Sequence, residues 1–172
     1  ITLYGEGWRT NIPHCIEYNP TTEHFYYSNA WNVLAKAKAT ELAPHVVLFE
    51  TTDTAQCKLN HTLTIRDIIR DQVGMLIYES EDITFKNVGV HYMHGLGIVS
   101  QFSKNVEMNH VYCMPRQNSG RLLASSADFM HFSGCSGKVK VVNCKFAGAQ
   151  DDCINVHGTN LRIMEKVNDY TL

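Results

Sequence analysis

Three segments from Gly74 onward share one layout, and that layout constrains the fold more than any other feature of the sequence. GMLIYESEDITFKNVGV begins at Gly74, GIVSQFSKNVEMNHVYC at Gly97 and DFMHFSGCSGKVKVVNCKF at Asp128. Each is a short apolar strand, then a small polar turn (Ser80 to Asp82, Ser103 to Asn105, Ser133 to Gly137), then an alternating strand. The alternating strands superimpose as Val88/Val90, Val111/Cys113 and Val142/Cys144. A fourth copy opens at Asp152 with DCINVHGTNLRI. The spacing is 23 residues from Gly74 to Gly97 and 24 from Asp128 to Asp152; a loop from Pro115 to Ser125 lengthens the middle copy. A period of twenty-odd residues with short strands and no intervening helix points to a parallel β-helix. A leucine-rich repeat has a similar period, but its Leu and Asn framework is absent. In a β-helix each copy is one coil, and equivalent residues stack at ~4.8 Å along the axis. Four coils leave both ends of a stack unpaired. With Ile1 in place of Met and no terminating element at Leu172, the expectation is a piece of a longer protein.

The N-terminal portion reads differently. Trp8 to Tyr27 is rich in turn formers and aromatics and has no helical period. Asn29 to Leu42 (NAWNVLAKAKATEL) is the one helix candidate, with Ser28 or Asn29 as cap and Pro44 as stop. Val46 to Phe49 and Thr62 to Ile65 read as short strands. The expected division is an N-terminal segment, 1–72, and a stack of coils, 73–172.

Composition narrows the function classes. Lys+Arg 15 against Asp+Glu 17 gives a net charge of −2, which argues against electrostatic nucleic-acid binding. Charged residues make up 19% and hydrophobic residues 44%, enough to bury a core. No apolar run approaches the ~20 residues of a membrane span. The six cysteines include no CxxC pair, so a zinc ribbon is not indicated, and Cys113, Cys144 and Cys153 read as small core residues.

Chemistry enters where the stacking rule meets charge. Phe129 and Cys153 occupy equivalent strand positions, so Asp128 and Asp152 stack on adjacent copies, and Asp151 sits beside Asp152. Gln150, His131, Asn155 and His157 flank the three carboxylates. Crowded carboxylates raise one another's proton affinity. A glycosidase uses such a set: one protonated carboxyl for the leaving oxygen, one ionised carboxylate to activate water or attack the sugar. Adjacent strand residues point to opposite faces. A bend or bulge at Gln150 to Asp152 is therefore required to turn both carboxylates outward. The same oxygens suit a structural calcium ion, the bland alternative. A zinc or iron site with His131 or His157 has no supporting spacing.

At these residues a family resemblance becomes specific. LYGEGWRTNIP, RDQVGMLIYES, VHYMHGLGIVSQ, SSADFMHFSGC and GAQDDCINVHGTNLR together resemble glycoside hydrolase family 110 over nearly the whole chain. The resemblance implies an all-β, right-handed parallel β-helix, with part of a small inserted β-barrel in the N-terminal portion. It also implies a secreted or periplasmic exo-glycosidase that removes terminal α-1,3-linked galactose, including that of the blood group B determinant, with inversion. No metal or organic cofactor is implied; the expected partner is an oligosaccharide or glycoconjugate. The family's catalytic carboxylates fall on Asp128, Asp151 and Asp152. The shorter QDDCI resembles the polygalacturonases of family 28, by which Asp151 would be the general acid while Asp128 and Asp152 hold the water.

A neutral sugar is held by hydrogen-bonding groups and an aromatic platform. The candidates are His131, Gln150, Asn155 and His157, with Arg116 from the loop after Cys113, and Trp8 and Arg9 from the N-terminal segment. His91 and His94 read as packing or surface residues. Asn60-His61-Thr62 matches a glycosylation sequon that a bacterial origin would leave unused. The rival readings are a pectinase-like β-helix glycosidase, a non-catalytic glycan-binding β-helix, and a calcium-stabilised structural protein.

Overall fold

The computed structural model describes residues 3–5, 8–10, 14–26, 37–51, 58–66, 70–160 and 162–171. It divides into two compact units, Ile1–Ile69 and Arg70–Leu172.

The first unit is built from antiparallel pairs. β1 (Leu3–Gly5) pairs with β2 (Trp8–Thr10). β3 (His14–Asn19) lies between β4 (His24–Tyr26) and β7 (Thr62–Arg66), while β5 (Lys38–Ala43) and β6 (Val46–Glu50) form a hairpin. Pro44 and His45 form the hairpin turn, with His45 at φ 65°. Cys15 and Ile16 are buried on β3, and Glu17, also buried, pairs with His61 at 2.5 Å.

The second unit alternates short and long strands. The short ones, β8 (Met75–Tyr78), β10 (Ile98–Gln101), β12 (Met130–Ser133) and β15 (Ile154–His157), form one parallel sheet in the order β15-β12-β10-β8. The long ones, β9 (Glu81–Val90), β11 (Lys104–Cys113) and β13 (Ser136–Val142), form a second parallel sheet, with β14 (Lys145–Phe146) continuing along β11 beyond β13.

The corners between strands are left-handed and in register. Asp82, Asn105 and Gly137 all have φ between 55° and 66°, a region open mainly to Gly and Asx residues. Asn105 Nδ2 donates to Asp82 Oδ1 at 2.8 Å, and Lys138 N donates to Asn105 Oδ1 at 3.1 Å. A second set, Asn87, His110 and Asn143, bends the long strands at equivalent points.

The core lies between the two parallel sheets. Ile98, Met108, Val111, Phe129, Met130 and Phe132 are all fully buried there. Complete burial of side chains of this size contributes about 1.5–3 kcal/mol each. On β12 Met130 and Phe132 are fully buried, while His131 between them is only partly buried.

The expectation of a right-handed parallel β-helix with an inserted barrel and a short helix does not stand. The described residues hold no helix, and their strands divide among five small sheets of two to four strands, three of them antiparallel. In the first unit, turns at residues 20–23 and 44–45 fold consecutive strands back on each other. The helix candidate fails where it can be seen: residues 38–42 are strand, paired with Leu48, Phe49 and Glu50 among others. Cross-strand pairing with VVLFE overrides the helical preference of Ala, Lys and Leu. The rest of the candidate, residues 29–36, lies outside the described residues.

One register reading is also corrected. Val88 pairs with Val111 and Val90 with Cys113, but on the next strand Cys113 meets Phe146 and Val142 meets Asn109. The copy starting at Asp128 is shifted by two residues. A bulge places Ser136 opposite Lys104 but Val139 opposite Val106.

Candidate active site

The site grows from the N-terminal ends of β12 and β15. Met130 pairs with Ile154 and His131 with Asn155. The ladder continues one step beyond the strands: Phe129 N donates to Asp152 O at 3.0 Å and Met130 N to Cys153 O at 3.2 Å. Asp128 is thus the register partner of Asp152.

The preceding turn fixes Asp128. Ser125, fully buried, donates from Oγ to the Asp128 carbonyl at 2.6 Å and accepts from Ala127 N at 3.3 Å. Gly97, at φ 72°, lies against the same carbonyl, where an added β-carbon would meet Asp128 O at 2.3 Å. The Asp128 side chain is 2% exposed. Its Oδ2 contacts His131 Nδ1 at 2.8 Å and accepts a long hydrogen bond from Asn155 Nδ2 at 3.5 Å. His131 Nε2 lies 2.7 Å from His157 Nε2, with the rings edge to face at 82°. His157 Nδ1 is 2.5 Å from Gly158 O.

The other two carboxylates stand at the surface. The chain bends at Gln150 and Asp151; Gln150 is buried, whereas Asp151 and Asp152 are exposed. The bend breaks strand alternation and keeps both charges out of the apolar core. Arg70 pairs with Asp151 Oδ2 at 2.5 Å.

Of the residues picked from sequence, one cluster therefore gathers Asp128, His131, Asn155 and His157 by hydrogen bonds, with Asp152 in register beside them and Asp151 on the adjoining bend. Arg116 lies in the turn after β11, and its guanidinium makes no ion pair among the described residues. Trp8 and Arg9 are on β2 of the first unit, and their side chains lie outside the described set. His91 and His94 are exposed, and His91 Nδ1 contacts Met114 O at 3.0 Å. Sequence reasoning missed Arg70 and Ser125. Arg70 sits in the quoted RDQVG segment, but its pair is 81 positions away, so no local pattern marks it. Ser125 carried a usable signal, a turn-forming serine three residues before Asp128.

The thiols near the site are poor nucleophiles. Burial, with smaller effects from the Cys144 and Cys153 thiols, pushes Cys113 up to about 12. Cys153 is also raised, first by desolvation and then by the negative charge of Asp152. The expectation that it packs in the core is corrected: Cys113 is fully buried and Cys144 half-buried, but Cys153 is exposed beside the bend. No group of three His, Cys, Asp or Glu side chains suited to a metal ion occurs among the described residues.

The arrangement offers one buried carboxylate anchored by a histidine pair and two exposed carboxylates on an adjacent bend. Such a set can polarise a water and protonate a leaving oxygen. Comparison with known proteins bears on which leaving oxygen that is. No family model matches the chain. It is 60% identical, over all 172 residues, to an α-1,3-galactosidase A of Bacteroides fragilis. It is 37% identical over 171 residues to an α-1,3-galactosidase B of Bacteroides thetaiotaomicron. Over 101 residues it is 45% identical to an α-1,3-galactosidase A of Akkermansia muciniphila. The chain spans 28% of the length of the two Bacteroides relatives.

Proposed function

From a chain that belongs over its whole length to the α-1,3-galactosidases of glycoside hydrolase family 110, we propose that the protein is an exo-glycosidase. Its substrate is terminal α-1,3-linked galactose, on blood group B-type or linear α-galactosides, and hydrolysis inverts the anomeric carbon. The observation that carries this reading is the register pairing of Asp128 with Asp152 beside a bend that exposes Asp151.

Single displacement needs an acid and a base on opposite sides of the scissile bond, separated by ~6.5–9.5 Å so that a water fits. Asp128 and Asp152, just before the neighbouring strands β12 and β15, suit a shared base around one water. Asp151, on the bend, suits the acid. For Asp151 to donate, Arg70 must release it, and an ion pair this exposed is worth only ~0–1 kcal/mol. Asn155 supplies an amide for a sugar hydroxyl, whereas the buried Gln150 supports the bend. A glycan substrate displayed outside the cell favours a secreted or periplasmic protein.

Proton NMR of a Gal-α1,3-Gal oligosaccharide incubated with the folded protein tests the reading. Early β-galactose is the expected product. Early α-galactose overturns inversion, and no release overturns the galactosidase reading.

A further inference from the structure

We propose that Asp128, His131 and His157 form one proton-sharing unit, and that this unit is the exit path for a proton taken up at the buried Asp128 carboxylate. The first half rests on hydrogen-bond geometry alone. The second rests on the hydrolase reading above, and makes His131 and His157 proton carriers rather than sugar ligands.

Hydrogen-bond chemistry fixes the number of protons in the unit. A backbone carbonyl only accepts, so His157 must carry its proton on Nδ1 to bond Gly158 O at 2.5 Å. The 2.7 Å contact between His131 Nε2 and His157 Nε2 needs one proton between two ring nitrogens. The 2.8 Å contact between His131 Nδ1 and Asp128 Oδ2 needs another. Three hydrogen bonds therefore need three protons, and two neutral imidazoles supply only two. The third makes an imidazolium beside the Asp128 carboxylate or a carboxylic acid beside a neutral ring. Either form leaves the unit with no net charge, which suits a carboxyl that is only 2% exposed.

The surroundings support a path with one open end. Exposure rises along the unit: the Asp128 side chain at 2%, the His131 side chain at 13%, and His157 at the surface. The strands on either side bring no further charge to His131: β10 places Val99 in register with it, and β15 places Asn155. Asp152 is the register partner of Asp128, and Asp151 is held by Arg70. A base this buried has few routes by which to lose a proton to solvent.

Atoms and charges balance in each turnover. The water O–H bond breaks as its oxygen bonds the anomeric carbon. The glycosidic bond breaks, and the leaving oxygen takes a proton from Asp151. The water's proton goes to Asp128. In the form able to accept it Asp128 is ionised and His131 carries protons on both nitrogens, so the unit now holds one proton beyond its three. His131 Nε2 passes one to His157 Nε2, the exposed His157 releases one to bulk water, and Asp151 regains one from bulk water.

Nitrogen-edited NMR of the folded protein with labelled histidine tests the sharing. The expected result is His157 as the Nδ1–H tautomer, scalar coupling between the two Nε2 atoms, and a far-downfield proton on His131 that vanishes in Asp128→Asn. An Nε2–H tautomer at His157, or two histidines that titrate independently, overturns it. Kinetics test the exit path. His157→Ala, at an exposed position, should lower kcat on Gal-α1,3-Gal about 10- to 100-fold with little change in KM, and added imidazole should restore the rate. An unchanged kcat, or a loss that imidazole does not repair, overturns the path. If the unmodified protein releases no galactose, the hydrolase reading and the exit path fall together, while the NMR proton count still decides the sharing.

Discussion

Gly97 lies so close to the backbone of Asp128 that a β-carbon on it would stand 2.3 Å from the Asp128 carbonyl oxygen and 2.6 Å from that of Phe129. Its φ of 72° is also one that a side chain disfavours. Both obstacles are backbone, so neither yields by a rotamer change. Gly97→Ala should therefore destabilise the chain by about 2 kcal/mol or more, measured by urea unfolding. Because the same carbonyl is anchored by Ser125, the variant should also weaken the His131–Asp128 contact, read as loss or broadening of the shared proton resonance.

Phe132 and Val156 are register partners on neighbouring strands, yet Phe132 is fully buried and Val156 is 64% exposed. Phe132→Ala should cost about 3–5 kcal/mol, since it opens a cavity between the two parallel sheets. Val156→Ala should cost less than about 1 kcal/mol. Equal losses in urea unfolding would mean that the core does not end at β12.

Much of this site was legible because it depends on strand register, and register leaves a trace in sequence. The pairing of Asp128 with Asp152, the bend at Gln150 and the strands at Val46 and Thr62 all follow from alternation and turn residues. The reading failed where one residue alters the count. The short strands already pair Ile98 with Met130, one residue beyond the aligned copies, and the bulge between Ser136 and Val139 adds a second, which moves Cys144 opposite Val111. An even shift keeps side chains on the same face, so the hydrophobic pattern gave no warning. It failed again at KATELA, whose helix-forming residues pair with a strand that supplies the stronger preference. Arg70 was invisible for a third reason: an ion pair across 81 positions is tertiary, and no spacing rule reaches it.

The thiols give a labelling test. Cys15 is pushed up to about 11 and Cys113 to about 12 by burial, so near pH 8 both are protonated as well as inaccessible. Cys153 is the exposed thiol at the bend, and the Asp152 charge adds to desolvation in raising it. Removing that charge lowers the thiol toward its ordinary value and increases the thiolate fraction. Asp152→Asn should thus speed alkylation of Cys153 at pH 8 about twofold, while Cys15 and Cys113 stay unmodified in the folded protein. Mass spectrometry after timed iodoacetamide exposure reads all three.

Glu107 sets an acid-side dependence of stability. Hydrogen bonds from Lys140 and then Asn109 hold its carboxyl below the ordinary value. A carboxylate lowered in this way contributes stability that is present above its unfolded pKa and lost as pH falls through the folded one. Lys140→Met should lower the melting temperature at pH 7, and the difference from the unmodified protein should shrink as the pH is brought below about 4. A difference independent of pH would assign the effect to packing of the lysine stem.

The division of labour among the three aspartates yields to a choice of leaving group. An activated aryl α-galactoside departs with little need of a proton, whereas the galactose of Gal-α1,3-Gal must be protonated as it leaves. If Asp151 is the acid, Asp151→Asn should lose about 10²–10⁴ in kcat on the disaccharide and keep much of its rate on the aryl substrate. Asp128→Asn and Asp152→Asn should lose both activities alike, because each substrate needs the activated water. The exposed pairing with Arg70 adds a control: Arg70→Gln removes a partner of Asp151 at a cost of less than about 1 kcal/mol in stability. A change in its ratio of disaccharide to aryl activity then reports on the acid rather than on folding. Should Asp151→Asn fail on the aryl galactoside while Asp128→Asn or Asp152→Asn survives there, the roles are exchanged, and the bend carries the base.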